Sequence, residues 1–109
     1  MDHPPLDLDQ MRVSARTVTA LLRALANEDR LLLLCQMTQG ERSVSELETE
    51  LDIRQPTLSQ QLGVLRTEGL VTTRREGKRI FYAVADPKVR ALLGTLYTLY
   101  CAQECPPCP

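Results

Sequence analysis

The sequence contains no tryptophan, only one phenylalanine and only one histidine among its 109 residues. The core must therefore be built mainly from leucine, valine and alanine. Apolar runs such as LLLLC are far shorter than the roughly 20 residues that cross a bilayer. The first ten residues, MDHPPLDLDQ, are acidic and carry proline, unlike a secretory signal peptide. We therefore expect a cytoplasmic protein with no membrane partner.

Cysteine is sparse along most of the chain and concentrated at its end. Cys35 lies alone in RLLLLCQM, whereas Cys101, Cys105 and Cys108 all fall within LYCAQECPPCP. Thiols stay reduced in the cytoplasm, so these cysteines suggest redox groups or metal ligands before structural disulfides. For Cys35 the alternative is a buried structural thiol, because its surroundings are rich in leucine.

Positive charge is concentrated in one block of the chain. The net charge is −1, yet residues 54–79 carry six Lys or Arg against two Glu, a net charge of +4. Residues 1–53 carry five Arg against ten acidic residues, a net charge of −5. A basic block on a mildly acidic chain indicates a local surface that binds a polyanion.

Hydrophobic spacing predicts one domain of five helices and a β-hairpin. The helices are expected at 15–25, after the caps Asn27, Ser43 and Asp86, and from Pro56, which suits the first helical position. Strand-like alternation on both sides of REGK predicts a hairpin with a basic tip. The last helix should end near residue 103, because Pro106 disfavours helix at the preceding residue. We expect a flexible tail at 1–10, the domain at 11–103 and a Cys/Pro-rich tail at 104–109.

The order of these elements predicts a winged helix-turn-helix. A short helix, the turn DIRQ and a second helix form the helix-turn-helix, and the basic hairpin behind it forms the wing. In the second helix Leu58, Leu62 and Leu65 share one face, which should pack on the core and leave a polar face outside. The fold class is therefore mostly α with a β-hairpin wing.

The polar face of that second helix is typical of a recognition helix in a DNA major groove. Glutamine can bond both acceptor and donor atoms of an adenine edge, and basic wing residues can hold phosphates. A solvated helix face and a charged turn would explain either segment alone, but the two together favour DNA binding. The candidate DNA-binding residues are Gln55, Thr57, Ser59, Gln60, Gln61, Arg66, Arg74, Arg75, Lys78 and Arg79.

The stretch QPTLSQQLGVLRTEGLV, followed by GKRIFY, resembles the ArsR–SmtB family of winged-helix repressors. The resemblance extends over about residues 15–101 and implies a transcriptional repressor rather than an enzyme. It also implies a homodimer joined through its first and last helices. The partner would be double-stranded DNA with an inverted-repeat operator, which an inducer makes the protein release. Candidate residues of the dimer interface are Leu21, Leu22, Leu92, Leu96 and Tyr100.

The usual metal ligands of this family are missing here. The metal-sensing branch has cysteines where this chain has Ser43 and Ser45, and the zinc-sensing branch has a histidine ligand on the last helix, which carries none here. Cys35 and Cys101 instead resemble the cysteine pair of the persulfide-responsive BigR, SqrR and YgaV group, which becomes joined by a polysulfur bridge. The resemblance therefore implies a small persulfide or polysulfide inducer, with no cofactor and no metal.

The tail cysteines leave other interpretations open. Cys101, Cys105 and Cys108 together could bind arsenite or a thiophilic metal, or the last two could be accessory or spare thiols. A thiol oxidoreductase is disfavoured, because CPPC does not lie at the start of a helix in a βαβ unit. A dimeric adaptor that does not bind DNA is a third alternative.

Overall fold

The computed structural model describes residues 6–101, which form five helices and a three-stranded antiparallel sheet. The helices are α1 (Leu8–Leu25), α2 (Glu28–Met37), α3 (Val44–Leu51), α4 (Thr57–Thr67) and α5 (Pro87–Tyr100). The strands are β1 (Arg42–Ser43), β2 (Val71–Glu76) and β3 (Arg79–Val84), in the sheet order β1-β3-β2. This is the winged helix-turn-helix that the sequence predicts, with α3 and α4 as the helix-turn-helix and β2–β3 as the wing.

The core is a cluster of aliphatic side chains to which all five helices and the hairpin contribute. Leu33, Leu34 and Met37 are fully buried, so α2 runs through its centre. The helices around α2 contribute the buried residues Leu47, Leu58, Leu62, Leu65 and Leu93. Burial of one such side chain contributes about 1.5–3 kcal/mol, so packing against α2 fixes the positions of α3, α4 and α5.

Side-chain caps begin three helices where the sequence predicts them. The Asn27 side chain accepts from the Arg30 N–H, and the Asp86 carboxylate accepts from the Lys88 N–H. Ser43 and Glu46 form a complete capping box, in which the carboxylate accepts from the Ser43 N–H at 2.8 Å. That bond lowers the pKa of Glu46. Each such cap contributes about 1 kcal/mol to helix stability.

The first helix begins earlier than predicted. Asp7 caps α1 by accepting from the N–H groups of Asp9 and Gln10, so the helix starts at Leu8 and not near residue 15. Residues 8–10 are therefore helical, although the sequence suggested a flexible tail at 1–10. Residues 8–19 of α1 are all exposed, so the start of the helix shows no pattern of buried residues.

Two other details differ from the prediction. The short strand β1 has no predicted counterpart, because two residues are too few to show alternation. Pro56 is the residue before α4 and not its first helical residue.

The last helix, α5, stops at Tyr100, and Cys101 lies in a turn. The expected end near residue 103 and the tail at 104–109 lie outside the described residues. No helix within residues 6–101 is long and apolar enough to cross a membrane.

Candidate DNA interface and thiol pocket

The polar face of α4 points away from the core. Leu58, Leu62 and Leu65 are buried beneath the helix, as the spacing predicts. The predicted DNA-binding residues Thr57, Ser59, Gln60 and Arg66 are exposed on the opposite side. This face is free to enter a groove of DNA, and Gln60 offers a whole carboxamide for a base edge.

Two of the predicted DNA-binding glutamines already have partners within the protein. The Oε1 atom of Gln55 accepts from the Ser59 N–H at 3.1 Å, which caps the start of α4. The Oε1 atom of Gln61 accepts from Arg30 Nη1 at 3.0 Å, and Gln61 is only partly exposed. Neither carboxamide is free for bidentate contact with adenine in this arrangement. The Gln60 side chain, in contrast, forms no hydrogen bond within residues 6–101.

Arg30 is a residue that the sequence analysis did not single out. Its Nε atom donates to the Ala24 carbonyl at 2.7 Å, at the end of α1, while Nη1 holds Gln61 on α4. One guanidinium therefore connects the first helix to the recognition helix. A charged residue in the first turn of a helix gave no hint of this role, since such residues usually face solvent.

On the wing, two of the predicted arginines are held by side chains of the protein. Arg74 forms two hydrogen bonds to Glu41, at 2.8 and 2.9 Å, and these lower the pKa of Glu41. Arg79 donates to Ser43 Oγ at 3.1 Å. Both guanidinium groups also lie over the Phe81 ring, 4.7 and 4.9 Å from its centroid. These contacts brace the wing against the segment before α3.

Arg75 and Lys78 differ from those two arginines. Both side chains are exposed, and neither forms a hydrogen bond or ion pair with any residue among 6–101. Strand alternation puts Arg75 on the face opposite Arg74. Of the four predicted wing residues, these two have their charge fully available for phosphate.

The two predicted sensing thiols lie together. Cys35 on α2 and Cys101 after α5 line one cavity of about 300 Å³, whose other walls are apolar or aromatic. The remaining lining residues are Leu31, Leu96, Tyr97 and Tyr100. Both cysteines are free thiols, Cys35 partly buried and Cys101 exposed. Burial, followed by the negative charge of Cys101 when it ionises, raises the pKa of Cys35.

Hydrogen bonds connect the surroundings of Cys35 to both neighbouring units. Next to it, Gln36 Nε2 donates to Glu50 Oε1 on α3 at 2.9 Å, and Arg42 of β1 donates to that same oxygen at 3.2 Å. On the other side, Arg90 of α5 donates to the Thr38 carbonyl at 2.8 Å. The end of α2 that carries Cys35 is therefore bonded both to the helix-turn-helix and to the last helix.

Comparison with known proteins identifies the family. Residues 27–73 match the model of the bacterial regulatory protein family arsR. The biofilm growth-associated repressor of Agrobacterium fabrum is 53% identical, over 95% of this chain and 89% of its own length. The chain belongs to the ArsR family. It is a DNA-binding transcriptional repressor and not an enzyme, as the resemblance implied.

Two solved structures support the ArsR-family assignment. The crystal structure of the transcriptional repressor BigR from Xylella fastidiosa matches with a TM-score of 0.83 and 48% identity, over 90% of this chain and 100% of that chain. A homodimeric winged helix-turn-helix DNA-binding domain from Mycobacterium bovis matches with a TM-score of 0.72 and 31% identity, over 94% and 92%. The resemblance to BigR read from the sequence is thereby confirmed.

The predicted dimer residues of this ArsR-family chain lie on two apolar surfaces. Leu22 of α1 and Tyr100 of α5 are 50% and 72% exposed, while Leu21, Leu92 and Leu96 are partly buried. Further exposed apolar residues on these helices are Leu8, Met11, Val13, Val18, Tyr97 and Leu99. Apolar side chains grouped in this way mark an interaction surface.

The serines at the family's metal-ligand positions serve the fold. Ser43 is 2% exposed and caps α3, and its Oγ lies 3.3 Å from Ser45 Oγ. Within residues 6–101 no three His, Cys, Asp or Glu side chains are placed to hold a metal ion. Cys105 and Cys108, the other members of the alternative arsenite site, lie outside the described residues.

Proposed function

We propose that this ArsR-family repressor binds an inverted-repeat operator as a homodimer and releases it when reactive sulfur links Cys35 to Cys101. The observation that carries the sensing part is the cavity that these two thiols share. Two soft nucleophiles in one apolar pocket are what persulfide chemistry requires, and neither a metal nor a catalytic histidine is needed.

The DNA-binding part rests on the exposed faces of α4 and the wing. Thr57, Ser59 and Gln60 enter the major groove, while Arg75 and Lys78 bind phosphates. The homodimer rests on the apolar surfaces of α1 and α5 and on the homodimeric relative from Mycobacterium bovis. A two-fold axis then places the recognition helices about 34 Å apart, one turn of DNA, on an inverted repeat.

The sulfur chemistry balances without an added oxidant. A cysteine thiolate attacks the outer sulfur of a persulfide RS–SH; the S–S bond breaks and RS⁻ leaves, which produces a cysteine persulfide. When both cysteines carry such a sulfur, the persulfide anion of one attacks the inner sulfur of the other, and HS⁻ leaves as a trisulfide forms. A bridge with added sulfur also spans a gap too wide for a simple disulfide.

Bridge formation acts on DNA through the two helices that it joins. Cys35 lies on α2, which supports the helix-turn-helix through the core and through the Gln36–Glu50 hydrogen bond. Cys101 follows α5, whose exposed face we assign to the dimer. A bridge therefore changes the position of the recognition helix relative to the two-fold axis. Each tenfold loss of operator affinity requires only about 1.4 kcal/mol of coupling.

The test is release of a duplex that the reduced protein selects from a random DNA pool, followed by fluorescence anisotropy. Glutathione persulfide should release the duplex, and dithiothreitol should restore binding. Cys35→Ser and Cys101→Ser should bind the duplex normally and stay bound after persulfide treatment, whereas a Cys105→Ser/Cys108→Ser double variant should still release it. Release by arsenite that requires Cys105 and Cys108 would favour a tail-borne arsenite or metal site instead.

A further inference from the structure

Cys35 borders two cavities. The first is the apolar pocket that it shares with Cys101, and the second is a groove of about 560 Å³ between the end of α2 and the middle of α5. Groove residues from α5 include Gly94 and Tyr97. Cys101 does not line this groove, whereas Tyr97 lines both spaces. Cys35 therefore lies between a space that leads to its partner thiol and a larger space that does not.

We infer that this groove binds the organic thiol part of a low-molecular-weight persulfide and presents its outer sulfur to Cys35. The inference rests on the proposed function and adds where the donor sits and which thiol it reaches first. Cys35 attacks the outer sulfur, the S–S bond breaks, and the thiolate RS⁻ departs along the groove. The new Cys35 persulfide then turns into the apolar pocket, where Cys101 lies.

The chemistry of the groove walls favours a peptide-like thiol. Gln36 and Gln39 both line it, and their carboxamides match the amide groups of such a molecule. The Oε1 atom of Gln36 and the carboxamide of Gln39 form no hydrogen bond within residues 6–101. Leu93 and Tyr97 add an apolar wall for methylene groups. The apolar pocket beside Cys101 offers no such polar groups, so it suits bare sulfur chains rather than the carrier.

A cation for the donor's carboxylate is also close to the groove. The guanidinium of Arg90 donates to the Thr38 carbonyl at 2.8 Å, and Thr38 is itself a groove residue. The Arg90 side chain is exposed, so its other N–H groups are free to meet a carboxylate. A γ-glutamyl or cysteinyl thiol carries such a carboxylate, whereas an inorganic polysulfide does not.

Gly94 offers a way to block the groove without disturbing the fold. A Cβ atom added at Gly94 would meet no other atom within 4 Å, and its φ angle is not in the positive region. Gly94→Ala should therefore leave the groove open and strengthen α5, since alanine is the better helix former. Gly94→Leu should extend a side chain into the groove, and Ala serves as its matched control.

The experiment uses full-length protein with Cys101, Cys105 and Cys108 changed to Ser, so that Cys35 is the only thiol. Samples are quenched at set times, and mass spectrometry measures sulfur transfer to Cys35 with and without Gly94→Leu. The donors are glutathione persulfide and inorganic disulfide (HSSH), which has no organic part. We expect Gly94→Leu to slow transfer from glutathione persulfide about tenfold, the equivalent of about 1.4 kcal/mol, and to change transfer from inorganic disulfide less than about twofold. Gly94→Ala should change neither, and circular dichroism should confirm that all variants are folded.

Three results would overturn the inference or its basis in distinguishable ways. Equal rates in Gly94→Leu and Gly94→Ala with glutathione persulfide would show that the donor does not use the groove. Equal slowing with both donors would show that the substitution disturbs Cys35 and not carrier binding. No sulfur transfer to Cys35 from either donor would contradict the proposed function itself.

Discussion

Cys35 and Cys101 face one apolar cavity, although one lies on the central helix and the other follows the last helix. The two thiols differ in their surroundings, because Cys35 is partly buried and Cys101 is exposed. Burial keeps Cys35 protonated to a higher pH than an ordinary thiol, and the nearby Cys101 thiolate adds to this effect. The pocket thus holds one shielded thiol and one accessible thiol, an arrangement suited to transfer of sulfur between them.

The first prediction concerns the pH dependence of Cys35. Because its pKa is raised in the folded protein and only the thiolate reacts, alkylation by iodoacetamide should keep accelerating with pH beyond the range where an unfolded thiol has levelled off. The measurement uses a variant in which Cys35 is the only cysteine, with the same variant in urea as the control. Restoring Cys101 should raise the midpoint further, but by less than burial does. A folded midpoint at or below the urea value would contradict the description of the site.

The second prediction separates two kinds of DNA contact. Arg75→Ala or Lys78→Ala should weaken binding to all sequences and reduce the salt dependence, because each removes a charge that has no partner among the described residues. Gln60→Ala should instead reduce the difference in binding free energy between operator and random DNA by about 1–3 kcal/mol. Anisotropy titrations at several salt concentrations measure both effects. Wing variants with unchanged affinity at low salt would refute the assignment of the wing.

The third prediction concerns the position of the recognition helix. Arg30→Met removes the donor from the Ala24 carbonyl and from Gln61 Oε1 and should cost about 1–3 kcal/mol of folding stability. Operator affinity should fall as well, because α4 loses its connection to α1. Arg23→Met on exposed surface is the matched control and should change stability by less than about 0.5 kcal/mol. Urea unfolding and operator titration measure the two effects. Equal effects of Arg30→Met and Arg23→Met would refute the role of Arg30 in positioning α4.

The fourth prediction concerns assembly. Leu22→Glu should convert the dimer to a monomer at micromolar concentration, since it places a charge on the exposed apolar face of α1. Leu32→Glu, at a residue of α2 that is 40% exposed, makes the same chemical change away from the proposed interface and should leave the dimer intact. Sedimentation velocity distinguishes the two states. A wild-type protein that sediments as a monomer would rule out the proposed assembly.

Local patterns predicted most of the fold. The cap residue Asn27, the capping box of Ser43 with Glu46 and the turn at Gly77 all act within a few residues, so the sequence displays them directly. The cap at Asp7 was missed because the first turns of α1 bury nothing. Contacts between distant residues were not predictable in this way, since they depend on how the helices pack.

The candidate site was predicted only in part. The spacing of Leu58, Leu62 and Leu65 revealed which face of α4 is free, but not that Arg30 occupies Gln61 or that Glu41 holds Arg74. Those pairs join residues about 30 positions apart in the chain. The pairing of Cys35 with Cys101 came from family resemblance, since nothing in their spacing brings them together. The shared cavity now supports that pairing physically.

The most direct test of the central proposal is the intact mass of the reduced protein after glutathione persulfide, followed by peptide mapping without reductant. We expect a peptide of α2 joined to a C-terminal peptide through Cys35 and Cys101, with added sulfur between them, in step with loss of operator binding. Cys35→Ser and Cys101→Ser should each show persulfide groups but no such crosslink. Loss of operator binding while Cys35 remains unmodified, or a crosslink confined to Cys101, Cys105 and Cys108, would contradict the proposal.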